Sequence, residues 1–461
     1  MNALFARHAL LADGWRRDVL LEWDAGGDLV AVTPDTPAPA GVACEEVVLP
    51  GMINLHSHAF QRALGGLTER AGSASASNPG ADGDSFWTWR ELMYRFANRI
   101  TPDQMEAVAA QLYVECLRHG YTAVCEFHYL HRGPGGESYA DPAETARRIV
   151  AAGQASGIGL TLLPVMYAWA GFGEAPLQPQ QRRFRSDPAL VLRIVEALEP
   201  LRGPQLEIGA APHSLRAVSI AQLRELAQAL PAGRPLHIHI AEQMLEVRQC
   251  LDATGRRPVD LLQQQAQIDA RWCLVHATHL SEGEVAALAR SGAVAGLCPT
   301  TEGNLGDGLF ALAPYIAAGG RFGIGSDSHV SQSPVEELRW LEYGQRLAHH
   351  SRNVAVDGAR RDVGAFLWQG ALAGGAQAAG RRVGLLEAGR RADLLVLDNR
   401  HPNLDGSDPG DVLGRFLFCG NDNLVRDVLV GGRWVVRGGR HPDQDAIAAR
   451  YKAALQQLRE A

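Results

Sequence analysis

The sequence predicts an α/β fold, a TIM-type (β/α)8 barrel with a small β-sandwich domain that both termini build. Two patterns support this prediction: short apolar runs alternate with helical patterns through the middle of the chain, and shorter strand-like pieces lie at both ends. Continuously apolar runs are typical of strands buried on both faces, and their alternation with helices is typical of βα units. We predict a β domain from 1–48 and 385–440, a barrel from 49–384 and a C-terminal helix from 441–461.

Eight apolar runs are candidate barrel strands. In chain order they are VVLPGMINL, TAVCEF, GLTLLPV, LEIGAAP, PLHIHIA, WCLVHA, AVAGLCP and RFGIGSD. Helix-start signals lie between them: TPDQ at Thr101 combines an N-cap, a proline and a glutamine, and Ser281 and Ser333 begin similar arrangements. Eight strands followed by helical sequence favour a barrel, although periodicity alone leaves an open doubly wound sheet as the alternative.

The two ends of the chain lack a long helical pattern. They contain strand-like pieces such as RDVLLEW, ADLLVLD and VRDVLVGGRWVVRGG, separated by Gly and Asp turns. Because neither end can close a sheet alone, we expect the two to pair in one β domain. The stretch 71–84 is small, polar and rich in turn residues, so we predict a mobile loop at the barrel mouth, with a lid and an inert insertion as alternatives.

The composition excludes several classes of protein. The 461 residues carry a net charge of −7 without a basic run, which disfavours nucleic acid or an anionic membrane as a partner. We find no run of about 18 apolar residues and no signal-peptide pattern at the start. The seven cysteines are scattered and lack a CxxC pair, so we expect reduced thiols. We predict a soluble, cytoplasmic protein.

Polar side chains end several predicted strands, at the place where barrel active sites are built. NLHSHAF puts His56 and His58 two residues apart, so both imidazoles face the same way and can reach one ion. HIHIAE offers His237 and His239 on strand five, and His239 is the preferred ligand because it lies nearer the strand end. Strand eight ends with Asp327.

Three imidazoles and one carboxylate suit Zn²⁺ or another late divalent metal, with a position left for water. We therefore predict a metal site made of His56, His58, His239 and Asp327, with His276 at the end of strand six as a catalytic or neighbouring group. A noncatalytic structural zinc is disfavoured because such sites usually have four closed ligands that include cysteine.

These motifs resemble the amidohydrolase superfamily. PGMINLHSH, HIHIAE, LVHATH and GSDSH match its ordered pattern, and VGLLEAGRRADLLVLD is similar to its return into the β domain. Dinuclear members generally place a bridging lysine after strand three or four. LLPVMY and GAAPHS contain no lysine, so the resemblance implies one metal ion.

The same groups suggest hydrolytic attack of a zinc-activated water on an amidine-like or ring C=N carbon. Asp327 can accept the proton of the water, and His276 can orient the nucleophile or stabilise the developing charge. Glu242, three residues after His239 and not a ligand, can deliver a proton to the nitrogen that leaves as ammonia.

Two arginines near the predicted mouth suggest an anionic substrate. Arg90 lies in DSFWTWRELMYR and Arg216 follows strand four, and a guanidinium binds a carboxylate bidentately. For either arginine the alternative is a surface salt bridge.

NLHSHAFQRAL, DSFWTWRELMYR, EFHYLH and PHSLRAV resemble the N-formimino-L-glutamate deiminases of histidine degradation. The resemblance implies a dicarboxylate substrate, the products N-formyl-L-glutamate and ammonia, and a homodimer. It also implies that the substrate is bound by Gln61, Arg90, Tyr129, His213 and Arg216. In FHYLHR, Tyr129 is chosen on this resemblance over His128 and His131.

Two other functions are weighed against this one. A deaminase of guanine or a related heterocycle could stack its ring on Trp87 or Trp89, but it gives no role to the two arginines together. A noncatalytic barrel that kept only the fold ranks last, because every predicted ligand and Glu242 are present.

Overall fold

The computed structural model describes residues 2–69 and 86–460, which form two sheets and their covering helices. The first four strands are β1 (Asn2–Leu11), β2 (Gly14–Trp23), β3 (Leu29–Thr33) and β4 (Ala43–Pro50). The next nine are β5 (Met52–Ser57), β6 (Tyr121–His128), β7 (Gly159–Met166), β8 (Leu206–Ile208), β9 (Ala211–Pro212), β10 (Leu236–Ile240), β11 (Trp272–His276), β12 (Val294–Leu297) and β13 (Arg321–Ile324). The last three are β14 (Leu394–Leu397), β15 (Val425–Val430) and β16 (Arg433–Val436).

The middle nine strands form the predicted parallel barrel. Their order is β10-β11-β12-β13-β5-β6-β7-β8, with β9 also paired to β7. Parallel bridges from Ala210 to Leu236 and from Ser214 to His239 bring the two ends together. The fourth barrel position is thus two short pieces, β8 and β9. At Gly209, between them, a Cβ would lie 2.4 Å from the carbonyl oxygen of Pro235, so only glycine permits this close approach.

The two ends of the chain build the second sheet, as predicted. Its order is β16-β15-β14-β4-β1-β2-β3, and its neighbours are antiparallel except for β1 with β4. The predicted run VVLPGMINL is wrong as a single strand, because β4 ends at Pro50 in this sheet and β5 begins at Met52 in the barrel. Gly51 makes the crossing, where a Cβ would lie 2.2 Å from the Thr122 side chain. The domain limits themselves stay predictions.

Helices follow the barrel strands. In chain order they are α1 (Phe86–Ala97), α2 (Pro102–His119), α3 (Glu144–Ser156), α4 (Pro188–Leu198), α5 (Ile220–Ala229), α6 (Met244–Thr254), α7 (Pro258–Gln265), α8 (Glu282–Ser291), α9 (Pro299–Leu305), α10 (Leu312–Ala317), α11 (Pro334–His349), α12 (Val363–Ala379), α13 (Pro409–Phe418) and α14 (Gln444–Glu460). Short 3-10 turns cover Ala59–Leu64, Pro179–Gln181 and Glu199–Leu201.

The predicted helix starts are confirmed. Thr101 and Ser281 each form a complete capping box, and the Ser333 side chain accepts a hydrogen bond from the backbone N–H of Glu336. The expectation that the C-terminal part of the β domain, 385–440, lacks a long helical pattern is wrong, since α13 lies within it. This helix buries Val412 and Phe416, an i, i+4 pair that is typical of an amphipathic helix.

Two further observations concern parts of the chain that carried predictions. The predicted lid stretch 71–84 lies outside the described residues. Among the residues that are described, none of the helices is both long and apolar enough to cross a membrane.

Candidate active site

Three imidazoles converge at the carboxyl ends of β5 and β10. The Nε2 atom of His56 lies 3.2 Å from Nε2 of His58 and 3.0 Å from Nε2 of His239. All three rings are buried, and burial lowers the pKa of each, that of His56 to about 3. The three histidines thus bring their Nε2 atoms together in one buried group.

Asp327, just after β13, completes this group. Its Oδ1 lies 3.4 Å from His56 Nε2 and 3.3 Å from His58 Nε2. Burial opposes ionisation of Asp327, but the hydrogen bond and charge of His56, with the charges of His276 and His58, hold its pKa below the usual range. The four predicted ligands are brought together as three nitrogens and one carboxylate oxygen.

The arrangement of the histidines fits a bound metal ion better than hydrogen bonding among the rings. The carbonyl oxygen of Phe127 lies 3.0 Å from His58 Nδ1 and can only accept, so that nitrogen carries the hydrogen and the Nε2 lone pair faces the group. Lone pairs about 3 Å apart repel unless a cation lies between them. Two nitrogens that each bind zinc at about 2.0–2.1 Å lie roughly 3.3–3.4 Å apart, close to the spacing seen here.

His276 and Glu242 lie beside the four ligands. His276 Nε2 is 3.7 Å from Glu242 Oε1 and 3.9 Å from Asp327 Oδ2, and its Nδ1 is 3.3 Å from Glu302 Oε1. Burial disfavours the charged ring, but Glu242, Glu302 and Asp327 outweigh burial and raise the pKa of His276 to about 10. Burial also raises the pKa of Glu242 above its usual range. The site thus places an imidazole and a carboxyl group, either of which can hold a proton, next to each other.

Glu302 and Glu126 support the site from below and were missed in the sequence. Glu302, in α9 after strand seven, also accepts a hydrogen bond of 2.8 Å from the backbone N–H of Cys298. Glu126, near the end of β6, accepts from the Ser57 hydroxyl at 2.5 Å and the Ala59 N–H at 2.7 Å. Ser57 separates the two histidines of the HxH motif, so Glu126 fixes their backbone. Glu126 could have been found in the sequence, because it is a carboxylate at the end of a predicted strand. Glu302 had no such signal, because it lies in α9, beyond the end of its strand.

The backbone at this edge of the barrel is unusual. His276 and Asp327 adopt positive φ angles of 68° and 43°, and Ala241 and Ala277 adopt 51° and 48°. Such conformations are uncommon for residues other than glycine, and they cost free energy that the surrounding structure must supply. They turn the chain sharply where β10, β11 and β13 end, which directs the side chains into the mouth.

The cavity beside this group is lined by the predicted substrate-binding residues, namely Gln61, Arg90, Tyr129, His213 and Arg216, together with Phe86, Trp89, Tyr94, Tyr167 and Phe184. Gln61 Nε2 donates to the Tyr129 hydroxyl at 3.0 Å, while its buried Oε1 has no hydrogen-bond partner among the described residues. The guanidinium of Arg90 in α1 lies 5.5 Å from the centre of the Tyr94 ring. Every predicted site residue therefore lines this cavity or belongs to the histidine group at its base.

The histidines that were not chosen as ligands or substrate contacts do not belong to the cavity lining. His237, two residues before His239 in β10, has its Nε2 2.8 Å from the carbonyl oxygen of Ala378. His128 pairs with the Thr145 hydroxyl at 3.0 Å, and His131 with the carbonyl oxygen of Val165 at 2.8 Å. Among the three candidates in FHYLHR, Tyr129 lines the cavity.

Comparison with protein families gives two matches. Residues 47–435 match the family described as the amidohydrolase family. Residues 1–43 match the N-terminal domain of formimidoylglutamate deiminase HutF. The two matches together cover both sheets of the structure.

Comparison with individual proteins gives full-length relatives. Formimidoylglutamate deiminase of Pseudomonas aeruginosa is 52% identical over 459 residues, which cover 99% of this chain and 100% of that protein. The crystal structure of an amidohydrolase from Brucella melitensis superposes with a TM-score of 0.93 at 45% identity, covering 99% of this chain and 100% of that one. An adenosine deaminase from Xanthomonas campestris with bound zinc shares the fold, with a TM-score of 0.80 at 21% identity and coverage of 100% and 98%.

Proposed function

The chain belongs to the amidohydrolase family, and we propose that it hydrolyses N-formimino-L-glutamate to N-formyl-L-glutamate and ammonia. The observation that carries this proposal is the cavity itself. Its lining includes Glu242, His276 and Asp327, which lie beside the histidine group, and also Arg90 and Arg216, here called the arginine end. The first set is suited to hydrolysis of a C–N bond, and the arginine end is suited to an anionic substrate.

His56, His58, His239 and Asp327 are proposed to hold one Zn²⁺ ion. The converging Nε2 atoms and the carbonyl partner of His58 support this assignment. When bound there, the ion lowers the pKa of water toward neutrality and so supplies the nucleophile at physiological pH.

Three side chains are proposed to move or stabilise charge. Asp327 accepts the proton of the attacking water, which adds to the formimino carbon. Glu242 delivers a proton to the terminal nitrogen during this addition. Asp327 then passes the proton that it accepted to the same nitrogen as the C–N bond breaks and ammonia leaves, while the remaining hydroxyl proton of the adduct returns to Glu242. His276, whose positive charge is stabilised by the surrounding carboxylates, stabilises the negative charge that develops during addition. Water thus supplies the formyl oxygen, and the nitrogen leaves with its electron pair.

The substrate carboxylates are proposed to bind at the arginine end. Arg216 is 8% exposed, and Arg90 in α1 is partly buried where it lines the cavity, so neither guanidinium group is fully solvated. Their charge is worth more there than at the surface. Gln61 can accept from a formimino N–H through Oε1, and Tyr129 and His213 line the same cavity, with ring centres 5.1 Å from His58 and 4.8 Å from His239 respectively. A neutral heterocycle offers no carboxylate for the two arginines to bind, which disfavours the ring deaminase.

The test is ammonia release by zinc-loaded protein from N-formimino-L-glutamate, with N-formimino-L-aspartate and guanine beside it. We expect turnover of the first substrate, weakened at least tenfold in kcat/KM by Arg216→Ala because a charge-assisted contact is lost. Arg256→Ala is the matched control, since Arg256 is an exposed partner of Asp260 outside the cavity.

Turnover of guanine alone would overturn the substrate proposal and leave the metal proposal standing. An absence of ammonia from all three substrates, with zinc shown to be bound, would overturn both the chemistry and the substrate. A cytoplasmic homodimer stays a prediction from the sequence.

A further inference from the structure

A cluster of two tyrosines and a glutamine lies beside the arginine end of the cavity. Tyr94 comes from α1, Tyr167 follows β7, and Gln181 lies in the 3-10 turn Pro179–Gln181. All three are at least 95% buried, and both tyrosines line the cavity with Arg90 and Arg216. None of these three residues takes part in the reaction proposed above.

The hydrogen-bond directions within the cluster follow from Gln181. Its Oε1 accepts from the backbone N–H of Gln178 at 2.8 Å, which sets the orientation of the side-chain amide. Its Nε2 therefore has both hydrogens for the two phenols, at 2.8 Å from the Tyr167 oxygen and 3.2 Å from the Tyr94 oxygen. Each phenol oxygen is an acceptor in these bonds.

Each tyrosine consequently keeps its own O–H hydrogen for another acceptor. One of the two hydrogens can bond to the other phenol, and at least one is then available to the cavity. Because Gln181 occupies the side of the cluster away from the cavity with its N–H groups, the phenols present donors next to two guanidinium groups. Donors beside cations make a site for an anion.

The segment around Gln181 also fastens α1 to the barrel. The Arg183 guanidinium, which is fully buried, donates to the carbonyl oxygens of Ala97 and Ile100 at the end of α1, the latter at 2.7 Å. The Asn98 side chain donates to the carbonyl oxygen of Gln180 at 2.8 Å. The position of Tyr94 and Arg90 over the cavity is thus set by this segment.

We propose that Tyr94 and Tyr167 donate hydrogen bonds to one carboxylate of the substrate, beside Arg90 and Arg216, and so determine the preference for a dicarboxylate. Gln181 acts as a positioning residue that directs both hydroxyls toward the cavity. The inference rests on the proposed function and adds the residues that bind one of the two substrate carboxylates.

The test compares one dicarboxylate with two monocarboxylates. N-formimino-L-norvaline lacks the side-chain carboxylate, and N-formimino-4-aminobutyrate lacks the α-carboxylate. In Tyr94→Phe/Tyr167→Phe we expect KM for N-formimino-L-glutamate to rise at least tenfold, with kcat changed less than threefold, because bonds to a charged group are lost. One of the two monocarboxylates lacks the carboxylate that the tyrosines bind. For that substrate the double substitution should change KM less than twofold.

The matched control is Tyr451→Phe, since the Tyr451 hydroxyl lies outside the cavity lining and donates to the backbone oxygen of Arg62 at 3.4 Å. Equal losses on all three substrates, or an unchanged KM for the dicarboxylate, would overturn the inference. These outcomes are separate from failure of the proposed function, in which wild-type protein itself releases no ammonia from N-formimino-L-glutamate.

A second variant tests the positioning role. Glu at position 181 keeps an acceptor for the Gln178 N–H but has no N–H to donate, so each phenol would turn its hydrogen toward the new carboxylate. Gln181→Glu should therefore raise KM for the dicarboxylate at least as much as the double Phe variant, although both tyrosines remain. A KM within twofold of wild type, in protein of wild-type thermal stability, would contradict that role.

Discussion

The barrel mouth and the terminal sheet bury very different side chains. The terminal sheet is held by an apolar cluster that includes Leu4, Leu21 and Leu394, each at most 1% exposed. The mouth buries histidines and carboxylates and places non-glycine residues at positive φ. Burying polar groups and straining the backbone cost stability. The difference teaches that the mouth is arranged for chemistry, while the terminal sheet is arranged to stay folded.

Removal of the metal should have the largest effect on the mouth. Chelation is expected to reduce ammonia release to background, and added Zn²⁺ should restore it, because the nucleophile depends on the ion. Zinc at about 1,000 times its dissociation constant would stabilise the fold by about 4 kcal/mol, which thermal unfolding can detect.

The metal prediction has a matched control. His239→Ala should abolish both the activity and the zinc-dependent stabilisation, while His237→Ala should keep the zinc-dependent stabilisation because His237 bonds to a backbone carbonyl below the group. Equal stabilisation of wild type and His239→Ala by zinc would place the metal elsewhere.

Glu242→Gln should have the next largest effect. The amide keeps the shape but cannot deliver the proton, so kcat is expected to fall about 10²–10⁴-fold. The thermal midpoint should not fall, because a buried carboxyl is replaced by a neutral group. Steady-state ammonia release and thermal unfolding measure the two quantities, and a kcat within threefold of wild type would exclude Glu242 as the acid.

Glu302→Gln should have a smaller effect, about 10–100-fold in kcat/KM. The Gln oxygen can still accept from the Cys298 N–H, but the negative charge next to His276 Nδ1 is lost. Kinetics with N-formimino-L-glutamate measure this loss. Glu336→Gln, on an exposed part of α11, is the control, and equal rates in both variants would show that Glu302 has no influence on His276.

Leu394→Ala should lower stability and leave the activity nearly unchanged, the opposite of the variants at the mouth. We expect a loss of about 2–5 kcal/mol in stability, from the cavity left in the apolar cluster, with kcat within twofold of wild type. Val30→Ala in β3 of the same sheet is the control, since Val30 is 43% exposed. Urea denaturation and kcat at a permissive temperature measure the two effects. A large fall in kcat in folded Leu394→Ala protein would show that the two regions are coupled.

The barrel strands and the four converging ligands could be predicted from local patterns. Apolar runs identify buried parallel strands, and the alternation of side chains in an HxH motif makes His56 and His58 share one face. Parallel strands end at the same edge, so polar residues at those ends must meet. For these features the information lies within a few residues of each position.

The remaining features depend on contacts between distant parts of the chain. Gln181 meets Tyr94 across 87 positions, and Glu126 meets Ser57 across 69. No local period or motif links such pairs, because each contact depends on where the fold places two elements that are distant in the chain. Likewise, the division of VVLPGMINL between two sheets requires a close approach of Gly51 to Thr122, which lies far along the chain. Strand periodicity therefore determines which side chains reach the mouth, and tertiary packing alone decides which partners orient them there.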